Sequence, residues 1–177
     1  NFGTAIAPQA IIDEPYQFDF YDGGGVDCTF LGMAQCDADG NLNVSKFGPR
    51  IAGCGGFIDI SQNAKECVFC GTFTAGDLVV KIENGKLVIV KEGKMKKFIK
   101  KVEQITFNGK YESKKNKTIT LVTERAVFEW KPEGLTLVEI APGVDLKKDI
   151  LAQMEFEPII SKNLREMDPA LFKEDVM

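Results

Sequence analysis

Glu66-Cys67-Val68-Phe69-Cys70-Gly71 is a short apolar run closed by a glycine. Its length and content read as a buried strand of a parallel or mixed sheet. The run also contains a Cys-x-x-Cys pair. A redox pair belongs where a strand turns into a helix, and a structural zinc needs four ligands. Neither condition suits an apolar strand, so Cys67 and Cys70 read as small buried hydrophobes.

Two more apolar runs upstream are framed by glycines. Val26 to Leu31 follows Gly23-Gly24-Gly25, and Phe57 to Ile60 follows Gly53-Cys54-Gly55-Gly56. Both are predicted as buried strands on the same grounds. Between them, Asp39-Gly40 predicts a tight turn, and Leu42 and Val44 open a further short strand. Downstream, Leu78 to Ile82 and Leu87 to Val90 lie on either side of Asn84-Gly85. Asn-Gly suits a type I′ turn, which needs positive φ at both central residues, so a hairpin is predicted.

Lys94 to Phe107 holds Phe98, Val102 and Ile105 near helical spacing but ends in the strand-like Ile105-Thr106-Phe107, so helix and strand both stay open there. Ile119 to Thr123, Ala126 to Trp130 and Leu135 to Ile140 are predicted strands, the last two joined through Lys131-Pro132-Glu133-Gly134. Asp145 is a predicted cap for a helix with Leu146, Ile150, Leu151 and Met154 as its apolar positions. Past Pro158 the periodicity fades. This predicts an arm over 159–177 that packs elsewhere on the protein or is partly disordered, after a body over 1–158.

The chain has 177 residues, enough for one good-sized core. Its net charge of -4 gives no basic footprint for nucleic acid. No apolar run approaches the ~18 residues that span a bilayer, and no signal-peptide pattern opens the chain. Position 1 is Asn, as expected of a processed chain, a fragment or one piece of a longer protein. Five cysteines, an odd count, suit free thiols in a reducing compartment, hence the cytoplasm. There is no histidine, which removes Ser-His and Cys-His nucleophile pairs and every histidine-containing metal site. The lysines between Lys91 and Lys117 read as a solvated face, with an anion-attracting rim as the sharper alternative.

No complete catalytic set is visible, and no metal site is expected. The best local candidate is Gly53-Cys54-Gly55-Gly56-Phe57. Glycines let the backbone approach a ligand closely, so that its amides can face an anion or a developing oxyanion. Gly23-Gly24-Gly25 is a second loop of this kind, and tight turns between packed strands are the plain alternative for both. Cys54 has no base near it in sequence, so a nucleophilic role is not expected.

Phe18 to Asp27, Phe30 to Gln35 and Gly40 to Arg50, followed in order by Gly53 to Phe57 and Phe69 to Gly76, resemble segments of the family I coenzyme A transferases, in the group acting on acetate, propionate and lactate. Thr123-Glu124-Arg125-Ala126-Val127-Phe128 and Gly134 to Val144 look like the same group. The likeness runs over nearly the whole chain, fades after Pro158 and places it in the carboxy-terminal part of such an enzyme. It implies an α/β fold, a mostly parallel sheet with helices plus a β-hairpin region. It also implies transfer of CoA between a short-chain acyl-CoA and a carboxylic acid through a glutamyl-CoA thioester, with ping-pong kinetics. Coenzyme A would be a substrate, and no resident cofactor or metal is implied. Gly53, Cys54, Gly55 and Gly56, with Gly23, Gly24 and Gly25, are the candidate CoA-site residues.

The resemblance also implies a catalytic glutamate in a Glu-x-Gly motif upstream of Asn1, so this chain holds no catalytic residue and is expected to be inactive alone. Glu83-Asn84-Gly85 spells such a motif, but it lies downstream of the glycine loop and is accounted for as a hairpin turn. The partners implied are acyl-CoA, short carboxylic acids, the amino-terminal part of the same protein and further copies in a homo-oligomer. The rival expectation is a non-catalytic subunit that binds CoA or completes a partner. A nucleotide-binding domain is disfavoured, because neither a strand-GxGxxG-helix nor a P-loop lysine is present.

Overall fold

The cysteine-bearing run forms the strand on which the molecule is organised. The computed structural model describes residues 5–173. In it β2, Glu66–Cys70, lies parallel to β1, Cys28–Gly32, on one side and to β5, Thr118–Val122, on the other. Beyond β5 come β6 (Ala126–Lys131) and β7 (Gly134–Ile140), both paired antiparallel, and then β8 (Ile159–Glu166), parallel to β7. The result is one mixed six-stranded sheet with a parallel half, β1-β2-β5. This is the α/β arrangement expected.

The core follows from the period-2 alternation of these strands. Cys67 and Phe69 of β2 share a buried face with Ile119 and Leu121 of β5. Phe57 stacks on Phe69 with ring centroids 5.5 Å apart, and Phe107 meets Phe69 edge-on at 4.8 Å. A second cluster joins Phe73, Phe98 and Phe128, with Phe98 4.7 Å from Phe73 and 5.0 Å from Phe128. Each such ring stabilises the fold by roughly 1.5–3 kcal/mol when removed from water.

Asn84 and Gly85 both take positive φ, 52° and 73°, and turn the hairpin of β3 (Val79–Glu83) and β4 (Lys86–Lys91) as predicted. Lys94 to Phe107 is settled as mostly irregular chain. Only Met95–Lys96 and Phe107–Asn108 pair as short strands, while Phe98 and Val102 are buried. Asp145 caps a short π turn, Leu146–Ile150, its Oδ1 accepting from the Lys148 amide at 2.7 Å.

Cys70, expected to be buried with Cys67, is exposed, because the alternation that turns Cys67 and Phe69 inward turns it outward. Two further findings differ from the sequence expectation. Phe57 to Ile60 is not a strand but the start of helix α2, Phe57–Asn63. Four residues, of which Asp59 is charged, are too few to fix a period. Here Phe57 and Ser61, four apart, form the buried face. The second is helix α1, Glu14–Asp22, ahead of the first expected strand. Asp13 precedes it, Pro15 sits in its first turn and Gly23 closes it. None of its residues is buried.

Candidate functional site

The carboxyl ends of the three parallel strands lie level. Gly32 is opposite Cys70, and Cys70 opposite Val122. Met33 and Gly71 extend the ladder, their amides donating to the Cys70 and Val122 carbonyls at 2.9 and 3.1 Å. In open α/β sheets ligands bind outside these ends. Here an open groove of about 550 Å³ is lined by Gly32, Met33 and Ala34, by Ala52 to Gly55, and by Val44 and Phe57.

The turn from Ala52 to Gly56 is held from below. The amides of Ala52 and Gly53 both donate to the Ser45 carbonyl, at 2.8 and 3.1 Å. Ser45 is fixed in turn by buried Asn43, whose Oδ1 accepts from the Ser45 amide at 3.0 Å. Gly53 and Gly55 sit at φ 79° and 52°, a region that costs a side-chain-bearing residue about 1–2 kcal/mol. Among the described residues the amides of Cys54, Gly55 and Gly56 meet no acceptor. They stand on an exposed turn beside the groove. Three successive free amides suit a carboxylate or an oxyanion.

Of the four expected residues in this turn, Gly53 is a brace whose amide is already used. Gly56 also touches α1: a Cβ there would stand 2.6 Å from the Phe18 ring. The other expected loop has a different job. The amides of Gly23, Gly24 and Gly25 donate to the carbonyls of Asp19, Tyr21 and Phe20 at 2.9–3.0 Å, closing the end of α1. None of the three is left for a ligand, and the Phe20 ring occupies the space beside Gly25.

Cys54 is exposed, and no group of three or more metal-ligating side chains occurs among the described residues. The Cys-x-x-Cys pair is split by the strand: Cys67 points into the core and Cys70 outward. Burial pushes the Cys67 thiol up to about 11, in keeping with a packing role.

A charge network that sequence reading missed backs the same end of the sheet. Arg125, in the turn after β5, has no exposed surface. Its guanidinium pairs with Glu92 at 2.7 Å and Glu124 at 2.6 Å, donates to the Asp149 carbonyl at 3.1 Å and lies 5.1 Å from the Phe73 ring centre. Glu124 also accepts from the Phe73 amide at 2.8 Å, and Glu92 from the Thr74 hydroxyl. Burial works against the carboxylate of Glu92, but its bonds to Arg125 and Thr74 outweigh that and hold it below the usual range. Thr123-Glu124-Arg125 gave no hint of this beyond family resemblance, because its partners come from distant segments.

The lysine stretch is mostly solvated, as expected, with two exceptions. Lys117 pairs with buried Glu112 at 3.1 Å. Lys97 is only 7% exposed.

No family model matches the chain. Acetate CoA-transferase YdiF of Escherichia coli strain K12 is 51% identical over 176 residues, covering 99% of this chain and 33% of that protein. Caffeate CoA-transferase of Acetobacterium woodii is 51% identical over 179 residues, covering 98% and 34%. A crystal structure of the acyl-CoA transferase YdiF of E. coli O157:H7 in a thioester complex with CoA superposes with a TM-score of 0.93 at 51% identity. It covers 96% of this chain and 33% of that one. The chain thus spans about a third of the length of the curated relatives it matches.

Proposed function

We propose, from the premise that this chain matches, along nearly its whole length, about a third of the length of two CoA-transferases, that it is the carboxy-terminal part of an enzyme moving CoA between a short-chain acyl-CoA and a carboxylic acid. The observation that carries the reading is the row of unpartnered amides at Cys54, Gly55 and Gly56, set beside a groove at the carboxyl ends of β1, β2 and β5.

The chemistry asks for those amides. A glutamate carboxylate from outside this chain attacks the thioester carbonyl, and the tetrahedral oxyanion accepts from the free amides. CoA leaves as thiolate, giving an acyl-glutamyl anhydride. The thiolate then attacks the glutamyl carbonyl, forming the glutamyl-CoA thioester and releasing the first acid. An incoming carboxylate runs the same steps in reverse. CoA enters and leaves as a substrate. Each tetrahedral oxyanion forms on a carbonyl carbon, so one set of amides can serve each addition.

In this reading the body runs to residue 158 and a closing arm follows, with Ile159–Glu166 docked as an edge strand; the ends of the expected 1–158 and 159–177 ranges, 1–4 and 174–177, lie outside the described residues. The amino-terminal part of the longer protein brings the glutamate to the groove, and the assembly is a homo-oligomer. No helix among the described residues is long and apolar enough to cross a membrane, and the reading places the enzyme in the cytoplasm.

The test is acyl exchange. The longer protein containing this chain, mixed with acetyl-CoA and propionate, is expected to yield propionyl-CoA and acetate, and this chain alone neither. Turnover by the isolated chain, or none by the longer protein with any short acid, would overturn the proposal.

A further inference from the structure

Lys97 is the one lysine of its stretch that is almost entirely enclosed yet has no ion pair among the described residues. Its neighbours explain the burial. Its own backbone carbonyl accepts from the Cys36 amide at 2.8 Å, and Phe98 beside it sits in the phenylalanine cluster. The side chain runs to the carboxyl end of β2. There its ammonium stands 2.7 Å from where a Cβ on Gly71 would lie, and the Met33 carbonyl crowds the same point at 2.8 Å. Gly71 is therefore the residue that leaves the ammonium its place. Met33 belongs to the groove.

Among the described residues, the fully buried side-chain oxygens and nitrogens that lack a hydrogen bond are Asn41 Oδ1 and Glu112 Oε2. Lys97 itself keeps 7% of its surface exposed, and its ammonium stands beside Gly71 at the carboxyl end of β2. An enclosed, unpaired lysine costs stability, because desolvation disfavours its charge. Burial indeed draws its pKa down, with only Glu124 opposing. Glu124 is already engaged by Arg125 and the Phe73 amide. Glu124 offsets part of that cost, but no carboxylate among the described residues forms an ion pair with Lys97.

We propose that Lys97 binds the carboxylate of the acid substrate, holding it at the carboxyl ends of β1 and β2 while the amides of Cys54 to Gly56 serve the reacting carbonyl. The proposal rests on the CoA-transferase reading. A cation is what that chemistry needs. The incoming acid must approach a glutamyl-CoA centre in a site built around another carboxylate, and an ammonium offsets the repulsion.

The test isolates the second half-reaction in the longer protein. The glutamyl-CoA intermediate is formed with acetyl-CoA, freed of acetate by gel filtration and mixed with rising propionate while propionyl-CoA is followed. Lys97→Met is expected to raise the half-saturating propionate concentration by about 10- to 100-fold, the loss of one charge-assisted hydrogen bond. The saturated rate should stay within about threefold, and Lys97→Arg should recover most of the affinity. The Met variant should melt no lower than the wild type, since it removes an unpaired buried charge. Half-saturation unchanged in Lys97→Met, or a variant that fails to fold, melts lower or loses only the saturated rate, makes Lys97 a structural residue and overturns the proposal. A wild type that never forms the intermediate overturns the CoA-transferase reading itself, a result distinct from all of these.

Discussion

The Ser45 carbonyl accepts the Gly53 amide at 3.1 Å, and this contact divides the glycine turn into a braced half and a free half. Behind Ser45 stands Asn43, which is fully buried and uses both ends of its amide. Its Oδ1 accepts from the Ser45 and Lys46 amides at 3.0 and 3.2 Å, and its Nδ2 donates to the Lys46 carbonyl at 2.7 Å and to Gln35 at 2.6 Å. Asn43→Ala is expected to lower stability by about 2–3 kcal/mol, since several buried groups lose partners at once. Denaturant unfolding of this chain measures it.

Gly56 and Gly55 should respond differently to alanine. At Gly56 the added methyl would meet the Phe18 ring at 2.6 Å, so α1 must shift, at a cost of about 1–3 kcal/mol. At Gly55 there is open space, and the cost is the positive φ of 52°, about 1–2 kcal/mol. Thermal melts measure both. Proteolysis should find α1 exposed in Gly56→Ala and not in Gly55→Ala.

Arg125→Met should be among the most damaging substitutions, at about 3–5 kcal/mol, because it strands Glu92 and Glu124 without their cation. The pH dependence has a definite sign. The Glu92 carboxyl is held below its ordinary 4.5, so its contribution is complete above that value and is lost as pH falls through the lower folded value. The stability gap between wild type and Glu92→Gln should therefore be full above about pH 5 and should shrink in stronger acid. Unfolding curves taken across pH 3 to 7, roughly the carboxylate range and beyond, read it out.

Thiol labelling should separate the five cysteines into two sets. Cys28, Cys54 and Cys70 are exposed and should react in the native chain, while Cys36 and Cys67 should react only after unfolding. Burial raises both of the latter thiols, Cys67 to about 11, which suppresses the reactive thiolate further. In the longer protein, bound acyl-CoA is expected to protect Cys54 and leave Cys28 reactive.

Much of the sheet was legible because its strands are short apolar runs with sharp ends. Cys67 and Phe69 face inward as the alternation requires, and Asn84-Gly85 turns its hairpin by the φ values those residues favour. Helix α1 was not legible, although Asp13, Pro15 and Gly23 mark its ends, because a helix with no fully buried residue carries no clear apolar stripe. Phe57 to Ile60 misled for the converse reason: Phe57, Ile58 and Ile60 around a single Asp59 are too short a stretch to separate the two periods. In the site, the glycine turn could be found from composition. Which of its amides are free could not, since that depends on Ser45, seven or more residues away. Arg125 and Lys97 were out of reach altogether. A lone arginine in a turn and a lysine among lysines look solvated until distant segments close over them.

The free N–H groups of the glycine turn can be tested by one replacement that touches no side chain. The backbone amide preceding Gly55 is exchanged for an ester in the longer protein, which removes the N–H and leaves the residue's φ accessible. Exchange between acetyl-CoA and propionate is then measured. Transfer should fall by about 100-fold or more with acyl-CoA affinity little changed, as for loss of an oxyanion donor. Transfer at the wild-type rate would contradict the account.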